Sequence, residues 1–237
     1  MSRAELDAAY DNGRAVEDSG RYLADWARRS ATLRARQPEL LDLAYGPRER
    51  NRIDVFRSGE AGAPLLVFIH GGYWQRNSKD VFSCMAEGAL ELGLDVAVPG
   101  YTLAPDATLA EIVAEVTAAL RWLRREGRSL GLASGRLVVS GWSAGGHLAA
   151  CAMALPEVDA GLAISGIFEL EPIRLGVLNE KLRLTERDVE RLSPIRHLPP
   201  ALAASALPLE GRNHFSILED LATPGGPLAR QALALAR

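Results

Sequence analysis

Four short apolar runs punctuate the chain: "APLLVFIHGG" (63–72), "LDVAVPGY" (94–101), "GRLVVSG" (135–141) and "DAGLAISGIF" (159–168). All four predict strands, and the near-continuous hydrophobic character of the first three predicts burial within the sheet. Segments of helical period separate them. "LAEIVAEVTAALRWLRRE" (109–126) gathers its apolar residues on one face, and "AGGHLAACAMAL" (144–155) and the stretch around 78–92 also read as helices. Upstream, "YLADWARRSATLRARQ" (22–37) predicts an outer helix, and "LLDLAYG" with "RIDVFRSG" predicts two strands joined by the polar turn "PRERN".

Strands alternating with helices imply an α/β domain whose mostly parallel sheet carries helices on both faces. Chemistry in such sheets collects beyond the carboxyl ends of the strands. His70, the glycines after it and Ser143 all fall at such ends. From 171 to 200 the alternation breaks, and that charged segment is expected to be a cap or a connection, helical in its middle. The tail from 214 reads as two short helices around a Pro/Gly break.

Composition narrows the function. The chain has 237 residues, 48% hydrophobic and 24% charged, which suits one α/β domain spanning 1–237. With 27 basic against 30 acidic residues there is no general attraction to nucleic acid or an anionic membrane. The arginines of "RWLRREGR" (121–128) read as the solvated end of a helix. Cys84 and Cys151 show neither metal-ligand nor redox spacing and are expected to be reduced thiols. The first twenty residues are charged and lack the apolar core of a secretory signal, and no apolar stretch matches a bilayer span. A cytoplasmic protein is expected.

The chemistry concentrates in two motifs. "GWSAG" (141–145) follows a predicted strand and precedes a predicted helix. A sharp turn between those elements lifts a serine oxygen out of the sheet, and it needs small neighbours, here Gly141, Ala144 and Gly145. Ser143 is therefore the candidate nucleophile, and the N–H of Ala144 a candidate oxyanion donor. "FIHGGYW" (68–74) ends the neighbouring strand, where the amides of Gly71, Gly72 and Tyr73 can face a developing negative charge. His70 is expected to brace that loop. Tyr73, Trp74 and Trp142 are candidate pocket walls or packing residues.

A serine hydroxyl needs a base. "HGGYW", "GWSAGG", "YTLAP" (101–105) and "GRNHF" (211–215) resemble the α/β-hydrolase superfamily, in its HGG-type esterase branch. With "AYDNGRAV" (9–16), "LAYGPRERNRIDVF" (43–56) and "SGIFEL" (165–170), the chain is most similar to bacterial kynurenine formamidase-like hydrolases. That resemblance implies an α/β-hydrolase fold and cofactor-free hydrolysis of aryl formamides, such as N-formyl-kynurenine, or of small esters. It also implies His214 as the base, ahead of His147 and His197.

The acid departs from the pattern. The resemblance implies a strand, an acid-bearing turn, a helix and a further strand after "SPIRHLPP" (193–200). Only "ALAASALPLEG" (201–211) precedes "RNHF", room for one short strand. The sheet is thus expected to be one strand short near the C-terminus, with the acid-bearing segment deleted. Glu169, at the end of a predicted strand, is the candidate for a relocated acid, and Glu210 would have to fold back along its own loop. A Ser143–His214 dyad, or an incomplete site on a fold that binds a ligand or protein, are the alternatives.

Overall fold

A computed structural model describes residues 1–133, 135–197 and 205–237. Three helices, α1 (Arg3–Ala9), α2 (Asn12–Ala15) and α3 (Ser19–Arg36), precede strands β1 (Leu43–Ala44), β2 (Arg52–Phe56) and β3 (Leu65–Ile69). Then come α4 (Lys79–Phe82), α5 (Glu87–Glu91), β4 (Asp95–Pro99), α6 (Leu109–Glu126), β5 (Leu137–Trp142), α7 (Ala144–Ala152) and β6 (Ala160–Ile164). The remainder is helical: α8 (Glu171–Leu175), α9 (Asn179–Leu182), α10 (Glu186–Leu192), α11 (Glu219–Ala222) and α12 (Pro227–Leu235).

Among the described residues six strands form one sheet in the order β1-β2-β4-β3-β5-β6. The pairs β3/β4, β3/β5 and β5/β6 are parallel, while β2 pairs antiparallel with both β1 and β4. Every residue of β3 and β5 is buried, as their unbroken apolar runs require. Alternate residues feed two cores. Val67, Ile69 and Val139 join Ile112, Val116 and Leu120 of α6 and Leu148 of α7 on one face. On the other, Leu66, Phe68 and Val138 meet Trp26 and Leu33 of α3 and Leu228 and Ala232 of α12.

Local sequence explains the element ends. Helix α6 starts at a reciprocal cap: the Thr108 hydroxyl accepts from the Glu111 amide, and the Glu111 carboxylate accepts from the Thr108 amide at 2.8 Å. The helix expected around 78–92 is interrupted by a 3₁₀ turn, Ser83–Ala86. There the Cys84 amide donates to the Ser30 hydroxyl of α3 at 2.9 Å instead of continuing the helical ladder. Strand β6 is shorter than its apolar run, because the chain turns at Ser165, where φ is 45°.

The sheet ends at β6, most of which is only half-buried. Residues 205–209 are irregular where a short strand had room to form, and 198–204, the rest of the shortened interval, lie outside the described residues. Both cysteines are free thiols. Among the described residues no helix is long and apolar enough to cross a membrane.

Candidate active site

Ser143 sits between β5 and α7 with φ 57° and ψ −117°, a conformation costly for any residue with a Cβ. Packing holds it there. A Cβ on Gly145 would collide with the Ile69 carbonyl oxygen at the end of β3. A Cβ on Gly71 would lie 2.7 Å from the Trp142 carbonyl oxygen and 3.1 Å from Ser143 Cβ. The two glycine-containing turns are thus pressed together, which is why both motifs are built from small residues. The Ser143 amide donates to the Ile164 carbonyl of β6 at 3.0 Å, fixing the elbow to the last residue of the edge strand.

The segment after β3 is a run of left-handed residues: Gly72, Tyr73 and Trp74 have φ of 121°, 52° and 58°. Two of these are not glycine, and each such residue costs on the order of 1–3 kcal/mol. Side-chain anchors compensate. The Tyr73 hydroxyl donates to the Tyr10 carbonyl at 2.6 Å and accepts from Asn12 Nδ2 at 3.0 Å, so the loop is tied to the N-terminal segment. The Trp74 carbonyl accepts from the Ala104 amide at 2.8 Å. His70 bonds the Gly71 carbonyl through Nδ1 at 2.8 Å and stacks on Tyr101 with centroids 4.3 Å apart, the bracing role expected of it. Among the described residues the amides of Gly72, Tyr73 and Ala144 donate to no protein acceptor.

At the far end of this loop, Lys79 is almost fully buried and binds Asp42, Asp54 and Asp80 at 2.6, 2.8 and 3.0 Å. Arg34 of α3 completes the network on the same three carboxylates. An anchor of this kind was invisible in the spacing of its members.

His214 lies against Trp142, the residue before Ser143. The Trp142 indole N–H donates to the His214 carbonyl at 2.7 Å, and the two ring centroids are 4.8 Å apart. On its other side, His214 Nδ1 is 2.8 Å from the Ser165 hydroxyl. Burial alone pushes the imidazole down to about 4, so the ring is neutral at ordinary pH. No carboxylate among the described residues bonds it.

Glu169 is committed elsewhere. Its carboxylate accepts from Arg196 at 3.1 Å through both oxygens, from Ser193 Oγ at 3.2 Å and from the Glu171 amide at 3.0 Å. Burial pushes its pKa up, but the hydrogen bonds from Arg196, the Glu171 amide and Ser193 together with the Arg196 charge hold it below the usual carboxylate range. The expected relocated acid is therefore a structural ion pair, because the turn at Ser165 carries Glu169 away from the sheet edge. Glu210 is exposed.

Among the described residues Trp74 and Trp142, the candidate pocket walls, are packed into the core. They are 0% and 3% exposed and serve as core residues, Trp74 edge-on to His147 and Trp142 among Trp26, Phe82 and Phe215. His147 points to α10, bonding the Leu192 carbonyl at 2.8 Å. His197 bonds the Glu190 carbonyl. A cavity of about 260 Å³ does open beside Tyr73, between Tyr10 of the N-terminal segment and Pro172, Ile173 and Val177 of the cap region, with Arg76 at its edge.

The chain is similar to known hydrolases. The BD-FAE family model matches residues 53–164. The kynurenine formamidase of Danio rerio is 33% identical over 223 residues, covering 87% of this chain and 74% of that protein. The chain belongs to the kynurenine formamidase family. It is accordingly a hydrolase of the arylformamidase and esterase type with an α/β-hydrolase fold. The kynurenine formamidase of Salmo salar is 31% identical, and the match spans 59% of its length.

A solved structure from Silicibacter sp. TM1040, a candidate thioesterase, superposes with a TM-score of 0.87 at 29% identity, covering 95% of this chain and 98% of that one. That coverage leaves no room in the Silicibacter chain for a large extra segment, so the compact outline is shared. A propionate-bound esterase of Thermogutta terrifontis shares the fold, with a TM-score of 0.54 over 68% of this chain.

Proposed function

We propose that this chain hydrolyses small carboxylic esters or aryl formamides of the N-formyl-kynurenine kind through Ser143 and His214. The observation that carries the reading is the strained Ser143 elbow, pressed against Gly71 and flanked by amides with no protein acceptor. In this mechanism Ser143 Oγ attacks the carbonyl carbon as His214 Nε2 takes its proton. The amides of Ala144 and of the Gly71–Tyr73 segment stabilise the oxyanion, and the positive end of α7 adds to them. The protonated imidazole then passes its proton to the leaving amine or alcohol. Water repeats the sequence on the acyl-enzyme and releases formate or the carboxylic acid.

Family membership supports the substrate class. The test is turnover of N-formyl-kynurenine and p-nitrophenyl acetate by the wild type, Ser143→Ala and His214→Ala. Turnover by the wild type that both substitutions abolish supports the proposal, and equal rates for all three contradict it.

A second reading is a catalytically silent hydrolase fold that binds a ligand or partner. It is favoured by one observation, that no carboxylate among the described residues bonds His214. A wild type that binds N-formyl-kynurenine without turning it over would select it.

A further inference from the structure

The hydrolase reading leaves one question open in chemical terms: what holds the His214 ring in a usable tautomer. A neutral imidazole carries one N–H. For Nε2 to accept the Ser143 proton, that hydrogen must sit on Nδ1, and an acceptor facing Nδ1 selects this tautomer. In serine hydrolases of this design the acceptor is a carboxylate, which also stabilises the imidazolium. Here the group facing Nδ1 is the hydroxyl of Ser165, at 2.8 Å.

We propose that Ser165 is the positioning residue for His214, its hydroxyl oxygen accepting the Nδ1–H and leaving Nε2 free as the base. The placement follows from the sheet. Trp142 and Ile164 are register partners at the ends of β5 and β6, so Ser143 and Ser165 are the residues that follow them. The Ser143 amide bonds the Ile164 carbonyl, Trp142 holds the His214 backbone, and Ser165 holds the His214 ring. The base is thus clamped from the two strand ends that flank the nucleophile.

Ser165 has φ 45°, a left-handed conformation uncommon for a residue with a Cβ. Turning the chain there aims the hydroxyl at His214 and sends Ile167, Phe168 and Glu169 elsewhere. A charged partner for the ring is absent among the described residues. Trp142 and Phe215 are its aromatic neighbours, and the charged pair on its own loop, Arg212 and Asp220, is closed on itself at 2.7 and 2.9 Å. Consistent with that, burial is the one influence that moves the His214 pKa.

A hydroxyl can orient an imidazole but supplies no full negative charge to the imidazolium. The proposed site is therefore a Ser143–His214 pair oriented by a neutral third residue, Ser165, which a charged residue can replace. This inference rests on the hydrolase reading, and the experiment separates the two. The rate of Ser143 phosphonylation by a fluorophosphonate is measured against pH for the wild type, Ser165→Ala, Ser165→Asn and Ser165→Asp. Histidine ring ¹⁵N–¹H spectra of the same proteins are recorded at pH 7.

In the wild type the spectra are expected to show His214 protonated on Nδ1. Ser165→Ala is expected to lose that preference and to slow phosphonylation about ten-fold, the effect of one neutral hydrogen bond. Ser165→Asp, whose side chain tolerates the left-handed conformation, is expected to accelerate it at least about ten-fold by adding the missing charge. It is also expected to move the acid limb upward from near 4, a shift that the neutral Ser165→Asn does not produce. A His214 protonated on Nε2 in the wild type overturns the inference, as do unchanged tautomer and rate in Ser165→Ala. An unlabelled wild type with the Nδ1–H tautomer present refutes the hydrolase reading and leaves the positioning role standing.

Discussion

The indole of Trp142 holds the backbone of His214, two residues separated by 72 positions in the chain and joined by a 2.7 Å hydrogen bond. The residue that precedes Ser143 thus anchors the loop that carries the proposed base. Trp142→Phe keeps an aromatic ring among Trp26, Phe82 and Phe215 but removes the N–H donor and part of the indole's buried volume. It is expected to cost about 2–4 kcal/mol in chemical denaturation, the lost donor to the His214 carbonyl and the cavity together. Turnover should fall about ten-fold with KM little changed, because the base is displaced rather than the substrate. Steady-state kinetics and a urea titration check both halves.

Gly71 is where the turn after β3 touches the Ser143 elbow. A Cβ there would lie 2.7 Å from both Trp142 Cε3 and the Trp142 carbonyl oxygen, so the turns must separate. Gly71→Ala is expected to lower turnover about a hundred-fold or more, the scale of losing one oxyanion donor. Far-UV circular dichroism should stay close to that of the wild type, because the strain is confined to loop ends. Full activity in Gly71→Ala would remove the Gly71–Tyr73 segment from the mechanism.

Three imidazoles, those of His70, His147 and His214, are pushed by burial from an ordinary value of 6.5 down to about 4. In the unfolded chain they bind protons near pH 6.5, and in the folded protein only near 4. Between those values the unfolded state carries more protons, so acidification favours unfolding. Stability is expected to be at its full histidine-dependent level above about pH 6.5 and to decline steadily toward pH 4. Urea midpoints at pH 7, 5.5 and 4.5 measure the slope. His147→Gln, which preserves a donor for the Leu192 carbonyl, should reduce proton uptake on unfolding by about one.

Much of this arrangement was legible from residue pattern. The buried runs of β3, β4 and β5 and the full extent of α6 follow from periodicity, because those segments are governed by one strong requirement, burial. The elbow was equally readable, since a strand, a small-flanked serine and a helix leave few other geometries. Where long-range partners decide, pattern was silent. Glu169 looked like an acid at a strand end, and nothing in its neighbourhood revealed Arg196, 27 residues away, as its partner. Ser165 carried no signal at all, because a serine after a strand is common and its value lies in where His214 returns. Trp142 read as a pocket wall because aromatic residues near a nucleophile often are. Its burial against α3 depends on helices whose docking no local window records. The N-terminal segment, noticed only for its resemblance, proved to be what ties down Tyr73.

The central claim is that the Ser143 hydroxyl is activated at its elbow, and active-site titration with a fluorophosphonate tests it most directly. The account predicts one label per chain, located on the Ser143 peptide by mass spectrometry and absent in Ser143→Ala, with a rate that stays level from about pH 6 upward because His214 is already neutral there. No label on Ser143 anywhere between about pH 6 and 9, or equal labelling of Ser143→Ala, would contradict it.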